Sequence, residues 1–392
     1  MFDFSTPVDR RGTWCTQWDY IADRFGAADL LPFTISDMDF ATAPCILDAL
    51  RMRLGHGVLG YSRWKNDDFI AAIEHWFATR FNSQIDTQQL VYGPSVIYMV
   101  AEMIRQWSAP GDGIVVHTPA YDAFYKTIES NQRQVVAVPL QKNNNDWHCD
   151  FVQLEQALAQ PRNRVMLLCS PHNPSGKVWT REELMTMVQL CEKHDVAVIS
   201  DEIHMDMVWG DHVHIPWSGL ARSRWALLTS GSKSFNIPAL TGAWGLIGDE
   251  ATRHAYLDAL KNRDALSSPS VPALVAHVAA YQHGAPWLDA LRDYLQDNLR
   301  YVATTLNAAF PELNWQPPQA TYLAWIDLRP LKIDEHALQK TLIEQQKVAI
   351  MPGYTYGAEG SGFIRLNAGC PRSKLEKGVE RLIAGIHSLR QS

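Results

Sequence analysis

The residues best suited to chemistry lie at positions 230–238, where the sequence reads Ser-Gly-Ser-Lys-Ser-Phe-Asn-Ile-Pro. The lysine of this stretch, Lys233, comes just after an apolar run at 225–229 that predicts a buried strand. A lysine amine becomes a nucleophile when desolvation or a neighbouring cation lowers its pKa, and the adjacent serines could donate hydrogen bonds to a phosphate. For a lone lysine, an ordinary solvent-exposed loop position is the more common interpretation. A catalytic role for Lys233 therefore depends on what other residues the chain supplies.

Other polar side chains follow predicted strands in the same way. Tyr121 comes after the apolar run at 114–117, Asn173 after the run at 164–168, and Asp201 after the run at 196–199. Parallel sheets hold ligands in the crevice beyond the carboxyl ends of their strands. Together with Lys233, these residues predict one ligand site along one edge of a sheet.

The elements that must position these residues alternate helices with short buried strands, which is typical of a parallel α/β sheet. The predicted strands lie at 114–117, 134–138, 164–168, 196–199 and 225–229. Thr180 and Glu183 have the spacing of a capping box and predict the start of a helix. Beyond about residue 285 the pattern changes to a smaller mixed α/β unit. Its predicted elements are a helix at 287–310, a strand at 322–327, a helix near 334–346, a strand that ends at Met351, a strand at 363–367 and a helix from 372.

A glycine pattern at 55–60, Gly-His-Gly-Val-Leu-Gly, matches the letters of a dinucleotide-binding fingerprint. That fingerprint must follow a strand and open a helix, whereas this one follows a predicted helix at 46–54. We therefore do not expect a dinucleotide here.

The composition and net charge limit the kinds of molecule that we expect the protein to bind. The 392 residues carry a net charge of −7 without a basic cluster, so we expect no direct binding to nucleic acid or to a membrane surface. No apolar run approaches the ~18 residues that span a bilayer, and the start of the chain does not resemble a signal peptide. The six cysteines are scattered, which argues against a disulfide framework and fits a reducing cytoplasm.

A metal site is also not expected. His204 stands close in sequence to Asp201, Glu202 and Asp206, a set that could be taken for metal ligands. The chain offers no second group of ligands to complete such a site. We therefore expect no metal.

Three motifs in order resemble a known family. They are Asn-Pro-x-Gly at 173–176, Asp-x-x-His at 201–204 and Ser-x-Ser-Lys at 230–233. Their order and spacing resemble those of the fold-type-I pyridoxal-phosphate (PLP) enzymes of the class I/II aminotransferase superfamily, over nearly the whole chain. The stretches 8–13, 36–40, 60–62 and 233–237 are similar to the carbon–sulfur β-lyase branch, which contains cystathionine β-lyases and maltose-regulon modulators.

The resemblance implies an α/β fold of the aspartate aminotransferase-like, PLP-dependent transferase type. Such a fold has a large domain, built on a mostly parallel seven-stranded sheet, and a smaller α/β domain. We place an N-terminal arm and part of the small domain at 1–48, the large PLP-binding domain at 49–288 and the small C-terminal domain at 289–392.

The resemblance also implies roles for residues around the cofactor. Lys233 would bind PLP covalently through its amine, and after release would remove the substrate's Cα proton. Asp201 would pair with the pyridine nitrogen and keep it protonated. Asn173 would hydrogen-bond the phenolic oxygen, and Tyr121 would stack on the ring and complete the catalytic set, although a strand-end tyrosine is often simply part of the core. His204 stands where a tyrosine is usual and joins the cofactor-binding set.

Further residues are assigned to the phosphate and the substrate. The resemblance implies that Ser230, Ser232 and the backbone N–H groups of Val96 and Ile97 would contact the phosphate. Tyr61 would reach the phosphate of a partner subunit, which implies a homodimer; a loop tyrosine in ordinary packing is the rival interpretation. The substrate's α-carboxylate would be bound by Arg365, with Asn173 beside it, although Arg365 could instead form a structural ion pair.

The predicted activity is α,β-elimination from L-cystathionine or another L-cysteine S-conjugate, giving a thiol such as homocysteine, pyruvate and ammonia. Thr241 stands where ordinary aminotransferases carry a phosphate-binding arginine, which favours the lyase branch; an aminotransferase remains the alternative. The resemblance also implies a regulatory partner, a transcriptional activator of the maltose regulon that the protein would repress by direct contact.

Overall fold

The computed structural model describes residues 2–222 and 224–391. The β-strands are β1 (Leu31–Phe33), β2 (Leu90–Gly93), β3 (Gly113–Thr118), β4 (Gln134–Pro139), β5 (Gln141–Asn143), β6 (Asp146–His148), β7 (Asn163–Cys169), β8 (Ala197–Asp201), β9 (Trp225–Thr229), β10 (Ala243–Ile247), β11 (Leu323–Asp327), β12 (Val348–Pro352) and β13 (Phe363–Asn367). The α-helices are α1 (Ile21–Phe25), α2 (Pro44–Gly55), α3 (Asp67–Phe81), α4 (Val96–Trp107), α5 (Asp122–Ser130), α6 (Phe151–Leu158), α7 (Arg181–Lys193), α8 (Glu250–Asp258), α9 (Val271–His283), α10 (Ala285–Ala309), α11 (Glu335–Glu344) and α12 (Arg372–Gln391).

The chain divides into two compact units. One comprises Thr42–Asn173 and Lys177–Leu288, and the other comprises Met1–Ala41, Pro174–Gly176 and Asp289–Ser392. The domain limits inferred from the sequence stay a prediction. Among the residues that the structure describes, no helix is long and apolar enough to cross a membrane.

The larger unit is built on a seven-stranded sheet with the order β2-β10-β9-β8-β7-β3-β4. Strand β10 is antiparallel to both β2 and β9, whereas β9, β8, β7, β3 and β4 run parallel to one another. Strands β3, β8 and β9 are buried along their whole length, because helices cover both faces of a parallel sheet and such strands are continuously apolar. The predicted mostly parallel α/β sheet is confirmed.

Helix α4 carries part of the core on one face of the sheet. Met99, Val100, Met103 and Ile104 recur at the spacing of one helical face and are fully buried in the same cluster as residues of β3, β7 and β9. The helix begins after Ser95, whose side chain accepts the Tyr98 N–H at 3.1 Å. This cap fixes where α4 starts at the end of β2.

The predicted capping box of α7 is confirmed. The Thr180 hydroxyl accepts the Glu183 N–H at 3.2 Å, and the Glu183 carboxylate accepts the Thr180 N–H at 2.9 Å. Two N–H groups that lack partners within the helix are satisfied in this way.

The smaller unit contains a four-stranded sheet with the order β1-β12-β13-β11. Strand β1 pairs parallel with β12, and β13 lies antiparallel to both β12 and β11. The segment 31–33 therefore supplies an edge strand to a sheet otherwise formed by the C-terminal part of the chain.

Candidate active site

Five strand ends meet at one edge of the large sheet. Because β2, β3, β7, β8 and β9 all point the same way, the residues after them lie along a single edge. These residues are the start of α4, then Tyr121, Asn173, Asp201 and Lys233. The structure thus brings together, on one sheet edge, the side chains that the motifs singled out in this unit.

Asp201 is a buried carboxyl group at the end of β8. Its side chain is 4% exposed, and its Oδ1 accepts the Ile203 N–H at 3.1 Å. Burial raises the pKa of Asp201 to about 7, while the Ile203 N–H and the charge of Lys233 act in the opposite direction. Asp201 lies at the end of β8 and Lys233 follows β9, and these two strands pair directly in the sheet. A buried carboxylate in this position favours a cationic ligand group, because such a group would offset the cost of ionising it.

Lys233 is half-buried in a tight turn after β9. The Ser232 N–H donates to Ser230 Oγ at 3.1 Å, and the Ile237 N–H donates to the Ser232 carbonyl at 3.0 Å. Asn236 adopts a positive φ of 55°, which the chain needs in order to reverse here. Consequently the lysine is presented from a defined backbone, unlike a lysine in an open loop.

The two serines before Lys233 differ in their surroundings. The Ser230 hydroxyl donates to the Gly242 carbonyl at 2.7 Å, whereas Ser232 is half-buried. A hydroxyl has one hydrogen to donate, so Ser230 can contact a phosphate as a donor only if that hydrogen turns away from Gly242. The hydrogen bond from Ser230 to Gly242 could not be predicted from the sequence.

Asn173 and His204 are buried polar residues beside Asp201. Asn173 lies after β7, where its N–H donates to Cys169 Sγ at 3.4 Å, and Cys169 is the register partner of Asp201. His204 stands in the turn that follows Asp201. Both side chains are at most 4% exposed. The β7 and β8 ends therefore form one compact polar corner.

Tyr121 and the start of α4 complete the edge. Tyr121 is half-buried and precedes α5, with its ring edge-on to Phe124 at 5.7 Å. Val96 and Ile97 are the first two residues of α4, and the N–H groups at this end of a helix have no partner within the helix. Such N–H groups, together with the helix dipole, favour an anion.

Arg365 lies in the smaller unit, on β13, and so is not in the unit that contains Lys233. It is buried, its Nη2 donates to the Thr34 carbonyl at 3.0 Å, and its guanidinium lies 4.7 Å from the centre of the Tyr356 ring. The arginine is thus held by its own unit, with a well-defined orientation.

Tyr61 and Thr241 have open surroundings. Tyr61 is 99% exposed, in a segment without helix or strand. Thr241 is exposed and has a left-handed backbone with φ 50°. In this chain, Thr241 presents no cation at the position where aminotransferases carry arginine.

Two contacts of the Lys233 turn carry no signal in the sequence. Asp206 accepts a hydrogen bond from Ser234, and His277 accepts one from the Gly231 N–H. Asp206 stands out only as one more acid after Asp201, and His277 lies within an apolar helix with no motif around it. Among residues 2–222 and 224–391, no three His, Cys, Asp or Glu side chains are grouped to hold a metal ion.

The family model for "Aminotransferase class I and II" matches residues 28–382. The chain belongs to this family. It is 72% identical over 390 residues to "Protein MalY" of Escherichia coli, covering 100% of both chains. It is also 34% identical over 389 residues to "Cystathionine beta-lyase PatB" of Bacillus subtilis, covering 98% of this chain and 100% of that protein.

A solved structure shares the fold over nearly the whole chain. The PLP-bound C–S lyase from Staphylococcus hominis superposes with a TM-score of 0.92 at 28% identity, covering 98% of each chain. The family membership and the aminotransferase-like fold are therefore as the three motifs predicted.

Proposed function

We propose that this protein is a PLP-dependent carbon–sulfur β-lyase. It eliminates a thiol from L-cystathionine or another L-cysteine S-conjugate and releases pyruvate and ammonia. The observation that carries the proposal is that Lys233 and the buried Asp201 lie at the ends of two paired parallel strands, β9 and β8, at one edge of the sheet, where burial raises the pKa of Asp201 to about 7. The relatives named cystathionine β-lyase and C–S lyase support the same reaction class.

The residues of the sheet edge fit PLP. Asp201 suits a protonated pyridine nitrogen, because that cation would offset the cost of burying the carboxylate. Asn173 suits the phenolic oxygen, and Tyr121 suits the ring face. The N–H groups of Val96 and Ile97 suit the phosphate, with Ser230 and Ser232 beside them and His204 in the corner near Asp201. When bound, PLP supplies an electron sink for the charge left at the substrate Cα.

The side chains then divide the work of elimination. Lys233 would hold the cofactor and would move the proton from Cα. Arg365 orients the substrate through a two-point contact with the α-carboxylate, assisted by Asn173. The Cβ–S bond breaks and the thiolate leaves with the bonding electrons. Water then converts the remaining three-carbon fragment to pyruvate and ammonia, so that one substrate and one water give one thiol, one pyruvate and one ammonia.

Thr241 favours elimination over amino transfer. An aminotransferase must retain the cofactor while it carries an amino group without a covalent link to the lysine, and an arginine on the phosphate helps to retain it. The neutral Thr241 removes that anchor. An aminotransferase remains the alternative activity.

Purified protein with added PLP and L-cystathionine separates the two activities. We expect equal amounts of pyruvate and free thiol, and loss of both products in Lys233→Ala. Transfer of the amino group to an added keto acid, without pyruvate release, would establish the aminotransferase instead. A Lys126→Ala variant removes an exposed lysine on α5 and serves as the matched control.

We also propose that the protein acts as a homodimer. The segment 52–61 leaves Met52, Leu54, Val58, Leu59 and Tyr61 exposed, with exposed fractions between 51% and 99%. Exposed apolar side chains grouped in this way are typical of a protein interface. A partner subunit that covers them would let Tyr61 reach the phosphate of its neighbour. Sedimentation of Leu59→Glu beside the wild type tests this, and an unchanged dimer would count against the role of this segment.

A regulatory role is a second proposal. The 72% identity with MalY and the similarity to maltose-regulon modulators support contact with a transcriptional activator of that regulon. We place this contact in the cytoplasm, where the reducing conditions fit the six free cysteines. Lys233→Ala discriminates between the roles, because it abolishes elimination while a surface contact persists. Loss of repression in the same variant would show that the two functions are not independent.

A further inference from the structure

A buried cluster of polar and aromatic side chains lies beneath the turn that carries Lys233. Its members are Trp76 on α3, Asp206 after β8, and His277 and Tyr281 on α9, and we call them the lysine-turn cluster. All four are at most 6% exposed. None of them has a part in the chemistry described above.

His277 holds the turn before Lys233. Its Nδ1 lies 2.7 Å from the Ala273 carbonyl, which can only accept, so the ring hydrogen is on Nδ1 and Nε2 is an acceptor. Nε2 accepts the Gly231 N–H at 3.1 Å. Burial lowers the pKa of His277, which keeps the ring neutral and able to accept. A side chain at Gly231 would come within 3.3 Å of the ring, so the close approach favours glycine.

Asp206 holds the turn after Lys233. Its Oδ2 accepts the Ser234 hydroxyl at 2.6 Å, and its Oδ1 accepts Trp76 Nε1 at 3.0 Å. Ser234 is completely buried. The carboxylate therefore joins the residue next to Lys233 to helix α3.

Aromatic packing joins the two holding points. The Trp76 ring stacks on Tyr281 with 5.2 Å between ring centres, and Tyr281 lies 5.8 Å from the His277 ring. Tyr281 is fixed in turn by a hydrogen bond from Trp244 Nε1 at 3.0 Å. Together these contacts connect Gly231 to Ser234 through the side chains of the lysine-turn cluster.

We propose that the lysine-turn cluster positions Lys233 by holding the backbone on both sides of it, at Gly231 and at Ser234. His277 and Asp206 are positioning residues that act through the turn. The proposal rests on the proposed role of Lys233 as the residue that binds PLP. Fixing the turn keeps the amine at one place relative to Asp201, which raises turnover and slows cofactor release.

Ser234→Ala is the mildest test, because it removes one hydroxyl and leaves Trp76 bound to Asp206. His277→Asn is the second variant. Phe69→Leu is the control, since Phe69 packs edge-on against His277 at 6.4 Å and its side chain has no polar atom to bond the turn. We expect Ser234→Ala and His277→Asn to release PLP about tenfold faster and to lower kcat about tenfold with KM within about twofold of the wild type, the effect of losing roughly one oriented contact. Phe69→Leu should lower the melting temperature alone.

A second measurement does not depend on the enzyme's activity. Hydrogen exchange of the amides at 230–236, followed by mass spectrometry in cofactor-free protein, should be faster in Ser234→Ala and His277→Asn than in Phe69→Leu. If wild-type protein fails to bind PLP, the proposed function falls, and this exchange still decides whether the cluster holds the turn. Exchange and PLP release equal to those of the control would overturn the proposal.

Discussion

Replacement of Asp201 by asparagine should have opposite effects with and without the cofactor. Asparagine is nearly the same size as aspartate and can still accept the Ile203 N–H, so packing changes little. What changes is the charge in a fully buried place. Without the cofactor, the charge of Lys233 offsets only part of the cost of ionising this carboxylate, so the ionised form destabilises the folded state.

The size of that cost follows from the pKa. Burial moves the pKa of Asp201 from 3.8 to about 7. At about 1.4 kcal/mol for each tenfold change in acid strength, this corresponds to a free energy on the order of 4 kcal/mol. Because the folded state holds the proton more tightly than the unfolded state, wild-type stability falls as the pH rises from about 4 to about 7, and the full cost applies above that range.

Comparing the stability of the wild type with that of Asp201→Asn at each pH cancels the contributions of all other titrating groups and leaves that of Asp201. In cofactor-free protein, the unfolding free energy of Asp201→Asn relative to that of the wild type should increase by up to about 4 kcal/mol between pH 4 and pH 8. Urea unfolding followed by circular dichroism at several pH values measures it. Asp68→Asn, at an exposed position on α3, is the matched control and should show no such trend.

With PLP present, the same substitution should lower the activity instead of raising the stability. Asparagine cannot keep the pyridine nitrogen protonated, so elimination should fall by at least about 100-fold. A difference in stability that is the same at pH 4 and pH 8 would refute the argument that Asp201 is costly to ionise. A variant with full activity would refute its role as the partner of the pyridine nitrogen.

Three further predictions concern residues around the site. Arg365→Lys should raise KM for L-cystathionine about tenfold with kcat little changed, because lysine cannot make the two-point contact with a carboxylate; an unchanged KM would argue for a structural arginine. Glu202→Gln should lower the unfolding free energy, measured in urea, by about 3 kcal/mol. The buried Glu202 carboxylate accepts hydrogen bonds from Ser200 Oγ at 2.8 Å and from the Trp217 N–H at 2.9 Å. It also lies 2.7 Å from His214 Nε2. A loss below about 1 kcal/mol would show that the amide replaces these bonds. Thr241→Gly should stabilise the protein by about 0.5 kcal/mol in the same assay, because glycine tolerates the positive φ at this exposed position; destabilisation would contradict that reading.

The central strands were predictable because burial on both faces leaves a local mark. Strand β9 has the predicted bounds, and β3, β7 and β8 differ from the predicted runs by one or two residues at each end. Strand β10 was not predicted. Its Gly245 lies in close contact with its neighbours, where a side chain would come within 2.6 Å of the Leu227 carbonyl, and such a glycine weakens the apolar signal.

The site was predictable where chemistry follows a strand end, and not where it depends on distant contacts. Asp201 and Lys233 stand at strand ends that the parallel sheet brings to one edge. The bond from the Ser230 hydroxyl to Gly242 depends on where β10 lies, and the contact of His277 with Gly231 joins residues 46 positions apart. Neither pairing has a local pattern, because both arise from the packing of elements that are separate in sequence.

Locating the cofactor on the chain tests directly whether Lys233 is the residue that binds PLP. Protein incubated with PLP should show a visible absorption band that borohydride abolishes, and peptide mass spectrometry should then find the reduced cofactor on Lys233. Lys177 is the informative comparison, because it is more buried than Lys233 but is paired with Glu183 at 2.9 Å. Label on Lys233 alone is the predicted result. No visible band, or label on Lys177 or another lysine, would contradict the assignment of Lys233 as the residue that binds PLP.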